Sequence, residues 1–171
     1  MRMGRTIAVA ALAAIAVTGC GSKGQSAGGS GGAQPVQGLT LPASASDINV
    51  KPAIPKPNGS PPTGLQARDV VIGNGKTAEA GSKLSVQYVG VSWSTGKQFD
   101  SSWDRGKKPF NFQLGAGMVI PGWDQGMVGM RKGGRRLLVI PPNLAYGPQG
   151  QPPAIGPNET LVFVIDLKKV S

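Results

Sequence analysis

The sequence contains no histidine, and Cys20 is its only cysteine. Ser–His and Cys–His nucleophiles and His/Cys zinc sites are therefore unavailable, and no disulfide can form within one chain. Acidic residues are also scarce, with 8 Asp and Glu against 18 Lys and Arg. In the C-terminal part only Asp100 and Asp104 lie close together in sequence, and nothing suggests a catalytic carboxylate pair. The function is expected to be binding, or a reaction without a strong acid, base or nucleophile, and no metal or cofactor is expected.

Long hydrophobic runs are missing as well. The apolar run at residues 7–17 follows Arg2 and Arg5 and is shorter than the roughly 20 residues that span a bilayer. This pattern predicts a secretory signal peptide at residues 1–19. Val17-Thr18-Gly19-Cys20 resembles the lipobox of bacterial lipoproteins, which implies a lipidated Cys20 and an extracytoplasmic protein anchored to a bacterial membrane. The alternative is an ordinary signal peptide followed by an incidental cysteine.

Glycine and proline are abundant, at 27 and 15 residues, and many lie in residues 20–63. This region has a Gly/Ser-rich part and then a Pro-rich part, with too few apolar side chains to offset the entropy of ordering. It is predicted to be a flexible tether that carries Cys20 at its start. A short apolar island at Val36, Leu39 and Leu41 is an alternative docking element, but its composition favours a linker.

Residues 64–171 have the composition and length of a single folded domain. Apolar alternation or apolar runs predict strands at 84–89, 110–114, 136–140 and 161–167, with a weaker one at 68–72. The connections are too short for repeated helical crossovers, so the sheet is expected to be antiparallel. The predicted fold class is α+β, with about five twisted strands wrapped around one short helix.

The short helix is predicted to begin at Pro121, because proline suits the first helical turn. Trp123, Met127 and Met130 then fall on one face at i, i+4 and i+7. Gly126 and Gly129 lie within this predicted helix, where each costs about 1 kcal/mol relative to alanine. The helix is therefore expected to depend on packing against the sheet.

Five motifs in this order resemble the FKBP-type peptidyl-prolyl cis/trans isomerases. They are Tyr88-Val89-Gly90, Gly96-Lys97-Gln98-Phe99-Asp100-Ser101-Ser102, Val119-Ile120-Pro121-Gly122-Trp123, Ile140-Pro141-Pro142-Asn143-Leu144-Ala145-Tyr146-Gly147 and Leu161-Val162-Phe163. The resemblance covers nearly all of residues 64–171 and none of residues 1–63. It implies catalysed rotation of X-Pro bonds, here in exported polypeptides, and binding of macrolides such as tacrolimus or rapamycin.

The resemblance also implies a site. Trp123 would form the floor of a proline pocket, and its apolar contacts would be Tyr88, Phe99, Phe110, Val119, Ile120, Ile155 and Phe163. Asp100 and the Tyr146 hydroxyl would lie at the rim, and the Ile120 backbone N–H would be a second donor. Asp100, Tyr146, Ile120 and Trp123 would be the catalytic set, with Arg105 supporting Asp100 and Tyr88 from outside the pocket. Without the ordered motifs, each of these residues would be interpreted as ordinary core, turn or surface.

Three features depart from the family pattern or stand outside it. Gln151 stands where many members of the family have histidine, and Ala154 stands where a larger aliphatic residue is common. Trp103 is an unusual aromatic residue near the rim of the pocket. It is expected either to extend the substrate-binding surface or to pack on the stems of Lys107 and Lys108. The basic segment 131–136 is interpreted as a solvated turn, with anionic lipid as the second choice; nucleic acid is not expected as a partner. A monomer is expected.

The alternative function is a non-catalytic module of the same fold that binds proline-containing segments in the cell envelope.

Overall fold

The computed structural model describes residues 36–171, so the predicted signal peptide and Cys20 lie outside the described residues. The described part contains six strands and one α-helix: β1 (Gln66–Val71), β2 (Lys83–Ser92), β3 (Gln98–Ser101), β4 (Phe110–Gln113), α1 (Pro121–Gly126), β5 (Arg135–Ile140) and β6 (Leu161–Val170). The order in the sheet is β1-β5-β6-β2-β3, and β4 pairs with β2 beyond the end of β3. All pairings are antiparallel, which confirms the predicted α+β class.

The helix α1 lies against the inner face of the sheet at very short range. A Cβ atom added to Gly122 would come within 2.3 Å of the Ile140 side chain, and one added to Gly126 within 2.8 Å of Leu138. The helical glycines therefore allow the helix backbone to touch β5, and this contact offsets their low helix propensity. Trp123, which follows Gly122 directly, is 4% exposed and enters the inner core. The helix ends at Gly126, so Gly129, which was expected within it, lies beyond its end with a φ of 79°.

Strands β5 and β6 are buried on both faces. Inner side chains such as Leu138 and Phe163 join the core under the helix, whereas Leu137, Val139, Val162 and Val164 belong to a second cluster on the outer face. The outer cluster is completed by residues that precede β1, including Val36 and Leu39, which are 7% and 3% exposed. The domain is thus a sheet covered on both sides.

Residues 36–62 form this outer cover and are called the strap below. The strap contains a short 3₁₀ turn, Ala43–Ser46, and is tied together where the Asn58 N–H donates to the Gly38 carbonyl at 2.8 Å. It is fixed to the domain by Lys51, which pairs with Asp104 at 2.7 Å, and by the Trp93 indole N–H, which donates to the Gly59 carbonyl. The expectation of a flexible tether through residue 63 therefore does not hold for the strap. Its apolar residues bury against an outer sheet face that would otherwise be exposed.

Arg135 joins the strap to the sheet. Its guanidinium pairs with Asp166 and donates to three strap carbonyls, those of Ala45, Asp47 and Val50, each at 2.9 Å. The side chain is fully buried, and burial raises the pKa of Asp166 although the arginine charge acts in the opposite direction. A buried guanidinium is tolerated here because its donors have acceptors.

The expectation of a solvated basic turn at 131–136 is therefore wrong at its C-terminal end. Arg136 is also buried, where it pairs with Asp69 at 2.7 Å and donates to the Gly126 carbonyl at the end of α1. Only Arg131 and Lys132 of this segment have exposed side chains. The two arginines that begin β5 act as structural ties, so the surface charge is smaller than the sequence suggests.

Trp103 likewise has a structural place. It is 9% exposed, belongs to the outer cluster, and contacts Lys107 and Lys168, whose ammonium groups lie 5.7 and 5.9 Å from its ring centroid. The expected packing on the stems of Lys107 and Lys108 is replaced by contacts of the ring with the ammonium groups of Lys107 and Lys168. None of the helices in residues 36–171 is long and apolar enough to cross a membrane.

Candidate functional site

A cleft of about 260 Å³ opens between α1 and the inner face of the sheet. Nine of the ten residues expected from the sequence line it, together with Met118: they are Tyr88, Phe99, Asp100, Phe110, Val119, Ile120, Trp123, Tyr146 and Phe163. We call this cleft the primary pocket. Its lining comes from β2, β3, β4, β6, the helix start and the loop after β5, so only the tertiary fold assembles it.

Aromatic rings that pack edge to face form the floor and walls of the primary pocket. The Trp123 ring lies 5.2 Å from both Tyr88 and Phe163 and 6.2 Å from Phe110, measured between ring centroids, with interplanar angles of 80° to 86°. Phe99 extends the same packing at 5.5 Å from Phe163. Such edge-to-face contacts hold the rings in fixed orientations. The pocket therefore offers a rigid apolar surface.

A hydrogen-bond network holds one wall of the pocket. The Tyr88 hydroxyl donates to Asp100, Arg105 donates to the same hydroxyl at 2.8 Å, and Arg105 also pairs with the Asp100 carboxylate. Burial, helped by the bond to Asp100, raises the pKa of Tyr88 to about 12. Tyr88 therefore remains a neutral hydroxyl at physiological pH. The expected support of Asp100 and Tyr88 by Arg105 is present in this geometry.

Several hydrogen-bond donors of the pocket residues have no acceptor within residues 36–171, among them the buried Trp123 indole N–H. Among the hydrogen bonds of residues 36–171, the Tyr146 hydroxyl and the Ile120 backbone N–H donate none. Burial, together with the nearby Asp100 charge, raises the pKa of the Tyr146 hydroxyl, which keeps it protonated. Ile120 precedes α1 in an extended conformation, so its carbonyl caps the helix by accepting from the Trp123 N–H at 2.9 Å. This arrangement leaves its own N–H outside the helical bonds.

The loop that carries Val119 and Ile120 is fixed by Asp124 on α1. The two carboxylate oxygens of Asp124 accept from the N–H groups of Gly115 and Gly117 at 2.8 and 3.1 Å. Gly115 and Gly117 both have positive φ, as tight turns require. Sequence reasoning left Asp124 without a role because its partners are backbone groups, which leave no pattern in the sequence.

One residue expected in the pocket lies outside it, and one pocket residue was not expected. Ile155 does not line the primary pocket: it is 4% exposed, forms a bridge with Gln151 inside the loop after β5, and packs into the inner core. Met118, which the sequence did not single out, lies at the pocket mouth with 62% of its surface exposed. A large apolar side chain that is exposed at a cleft indicates binding. The sequence alone does not reveal this exposure. Among residues 36–171, no group of three or more His, Cys, Asp or Glu side chains is placed to hold a metal ion.

The fold and pocket define a small α+β domain with a rigid apolar ligand cleft. Residues 74–168 match the model of the family described as FKBP-type peptidyl-prolyl cis-trans isomerase. The chain is 54% identical over 121 residues to the "FK506-binding protein" of Streptomyces anulatus, an alignment that covers 70% of this chain and 97% of the relative. The chain belongs to the FKBP-type peptidyl-prolyl cis-trans isomerase family, a family of enzymes.

Two further comparisons agree. The "Probable FK506-binding protein" of Corynebacterium glutamicum is 47% identical over 117 residues, which are 68% of this chain and 96% of that protein. Among solved structures, the one titled "Crystal structure of AtFKBP13" is similar with a TM-score of 0.59 and 41% identity over 65% of this chain and 96% of that chain. The expected family and fold are thereby confirmed.

Proposed function

We propose that the primary pocket binds the proline ring of an exported polypeptide and accelerates rotation about the preceding X-Pro bond. The observation that carries this proposal is the pairing of rigid aromatic walls with two unused donors at the same cleft, the Tyr146 hydroxyl and the Ile120 N–H. A proline ring has no N–H and presents apolar faces, which suit the aromatic surface. The neighbouring carbonyls of the substrate provide acceptors for the two donors.

The chemistry needs no proton transfer to or from a strong acid or base. Resonance gives the peptide C–N bond double-bond character and a rotation barrier of about 18–20 kcal/mol. The planar amide is more polar than its twisted transition state, so a pocket that removes water from the carbonyl disfavours the planar form. Fixed walls and donors can then favour the twisted form. A barrier lower by about 4 kcal/mol corresponds to roughly a thousandfold acceleration.

The catalytic proposal is tested with a short X-Pro peptide. Relaxation from cis to trans is followed with the full chain and with the double variant Tyr146→Phe/Asp100→Val, which removes the free donor and the rim carboxylate. Glu79→Val is the control, because Glu79 is an exposed carboxylate outside the pocket lining whose side chain forms no hydrogen bond or salt bridge within residues 36–171. We expect catalysis by the parent and the control, reduced at least tenfold in the double variant and suppressed by rapamycin. Rapamycin binding without catalysis would support the alternative of a non-catalytic proline-binding module.

Export and anchoring form a separate part of the proposal. A basic start, a short apolar run and the lipobox-like residues before Cys20 support cleavage at this cysteine and its lipidation. With the strap bound to the domain, residues 20–35 would be the segment between anchor and domain. Membrane fractionation of cells that express the parent or Cys20→Ser tests this part. Membrane association that is equal in both would contradict the lipid anchor.

A further inference from the structure

Sulfur is scarce in the part of the chain that the structure describes. Cys20 lies outside residues 36–171, and these residues contain three methionines, Met118, Met127 and Met130. Met127 and Met130 belong to the inner core and are 0% and 1% exposed, whereas Met118 is 62% exposed. The oxidation of a thioether by a hydroperoxide depends on its exposure. Within residues 36–171, Met118 is therefore the sulfur-containing side chain that a peroxide in solution reaches first.

The loop that carries Met118 accounts for this exposure. Asp124 fixes the loop by accepting from the N–H groups of Gly115 and Gly117 at 2.8 and 3.1 Å. Gly117 has a φ of 66°, so the chain turns sharply directly before Met118. Val119, on the other side, is half-buried and packs against the inner core. The backbone is thus anchored on both sides of Met118 and holds its side chain at the mouth of the primary pocket.

Met118 contributes apolar surface to the primary pocket. It lines the cleft together with Phe110, which is 38% exposed, and the other apolar lining residues are half-buried or buried. A ligand that fills the cleft therefore covers the Met118 side chain as it enters. Methionine suits this position, because its flexible and polarizable side chain adapts to ligands of different shape. Oxidation would replace this apolar contact by a polar one.

We propose that Met118 is a modification site at which a hydroperoxide lowers the affinity of the primary pocket for its ligands. The proposal rests on the proposed function for the nature of the substrate. The Met118 sulfur donates an electron pair to one oxygen of hydrogen peroxide, so that an S–O bond forms and the O–O bond breaks. The methionine is oxidised to the sulfoxide, and the peroxide is reduced to one water molecule that takes both of its protons. Methionine sulfoxide reductases reverse the change, with one enzyme for each sulfoxide epimer.

The sulfoxide weakens binding because its S–O group is polar. This group is hydrated while the pocket mouth is open, and an apolar ligand that covers it removes that water without replacing the hydrogen bonds. A ligand that avoids the group loses the contact with Met118 instead. Loss of apolar contact with roughly one methylene group corresponds to about fourfold weaker binding. The buried Trp123 floor keeps its packing, so the effect falls on binding and not on rotation of the bound X-Pro bond.

The test begins with the full chain and a dose of hydrogen peroxide that adds on average one oxygen to residues 36–171. Tandem mass spectrometry locates the oxygen, and we expect Met118 to be oxidised about tenfold faster than Met127 or Met130. Rapamycin affinity is measured by fluorescence titration, and KM and kcat are measured with the X-Pro peptide. We expect the dissociation constant and KM to rise about fourfold while kcat stays unchanged. Treatment with both reductases should restore the original values.

Three variants separate Met118 from the rest of the protein. Met118→Leu keeps an apolar side chain without sulfur, so its rapamycin affinity should be the same before and after peroxide. Met127→Leu is the matched control, because it removes a buried methionine with little change in volume. It should lose affinity on peroxide treatment by the same factor as the parent. Met118→Gln places a polar amide at the pocket mouth and should bind rapamycin more weakly than Met118→Leu without any peroxide.

Oxidation of Met118 at the same rate as the buried methionines would overturn its assignment as the modification site. Unchanged rapamycin affinity in protein oxidised at Met118 would overturn the effect on the pocket. An equal loss of affinity in peroxide-treated Met118→Leu would also overturn it, because the effect would then arise at another residue. Absence of isomerisation before peroxide treatment would refute the proposed function alone, since the oxidation rates and the rapamycin affinity are measured without turnover.

Discussion

Replacing Arg135 with methionine should destabilise the domain strongly, because Arg135 is the fully buried tie between strap and sheet. The substitution keeps much of the side-chain volume but leaves Asp166 as a buried carboxylate without its partner, a change that typically costs about 3–5 kcal/mol. Three strap carbonyls also lose their donor, and each unsatisfied buried group adds about 1 kcal/mol or more. These losses are not additive, because detachment of the strap lets water reach the unpaired groups. We therefore expect Arg135→Met to lower the free energy of unfolding by about 4 kcal/mol at pH 7.

The destabilisation should depend on pH. Burial already raises the pKa of Asp166, and loss of the arginine charge raises it further. A carboxyl group whose pKa is higher in the folded than in the unfolded state holds more protons when folded, so stability falls as pH rises from about 4 towards its folded pKa. The Arg135→Met variant should therefore be closer to the parent at pH 4 than at pH 7.

Urea unfolding of the full chain at both pH values measures this effect. Arg131→Met is the matched control: Arg131 is exposed, and its loss should change the free energy of unfolding by less than about 0.5 kcal/mol. A value for Arg135→Met within 1 kcal/mol of the parent at pH 7 would refute the assignment of Arg135 as the tie. So would a destabilisation with no pH dependence, since it would mean that Asp166 is not left as a buried charge.

Three further predictions concern the pocket and its supports. Gly122→Ala places a Cβ 2.3 Å from Ile140 and should cost about 2 kcal/mol in urea unfolding, whereas Gly156→Ala, which meets no atom within 4 Å, should be nearly neutral. Asp124→Asn removes one of two charge-assisted acceptors that hold the pocket loop and should weaken rapamycin binding about tenfold by fluorescence titration; unchanged affinity would contradict its positioning role. Tyr88 has a folded pKa of about 12, above its unfolded value, so the parent should lose about 1 kcal/mol of stability between pH 9 and 11 that Tyr88→Phe does not lose. An equal loss in both proteins would contradict the buried hydroxyl.

Local patterns predicted most of the domain. The alternation around Tyr88 and Phe112 and the proline at position 121 each indicated an element that the structure contains. Strand β3, Gln98–Ser101, was absent from the predicted set because it contains one apolar residue, Phe99, and shows no alternation, whereas the equally short β4 has Phe110 and Phe112. The pocket residues were placed by the resemblance to a family, since their common feature is proximity in space.

The strap could not be predicted from its own composition, which is rich in glycine and proline. The sequence pattern that indicates the strap lies in β6, one of the strands that the strap covers. Residues 161–165 of β6 are apolar without interruption, whereas an antiparallel strand with one solvated face alternates with polar residues. Together with Val36 and Leu39, this run indicates that something must cover the outer face. The role of Arg135 depends on strap carbonyls 85 to 90 positions away, which no local pattern reveals.

Acceleration of X-Pro rotation is expected to take place in the primary pocket itself. The most direct measurement is exchange between the cis and trans forms of one X-Pro peptide at equilibrium, followed by NMR with catalytic amounts of the full chain and increasing rapamycin. We predict accelerated exchange that disappears when one equivalent of the macrolide occupies the pocket. Exchange that is not accelerated, or acceleration that persists with the pocket filled, would contradict the account.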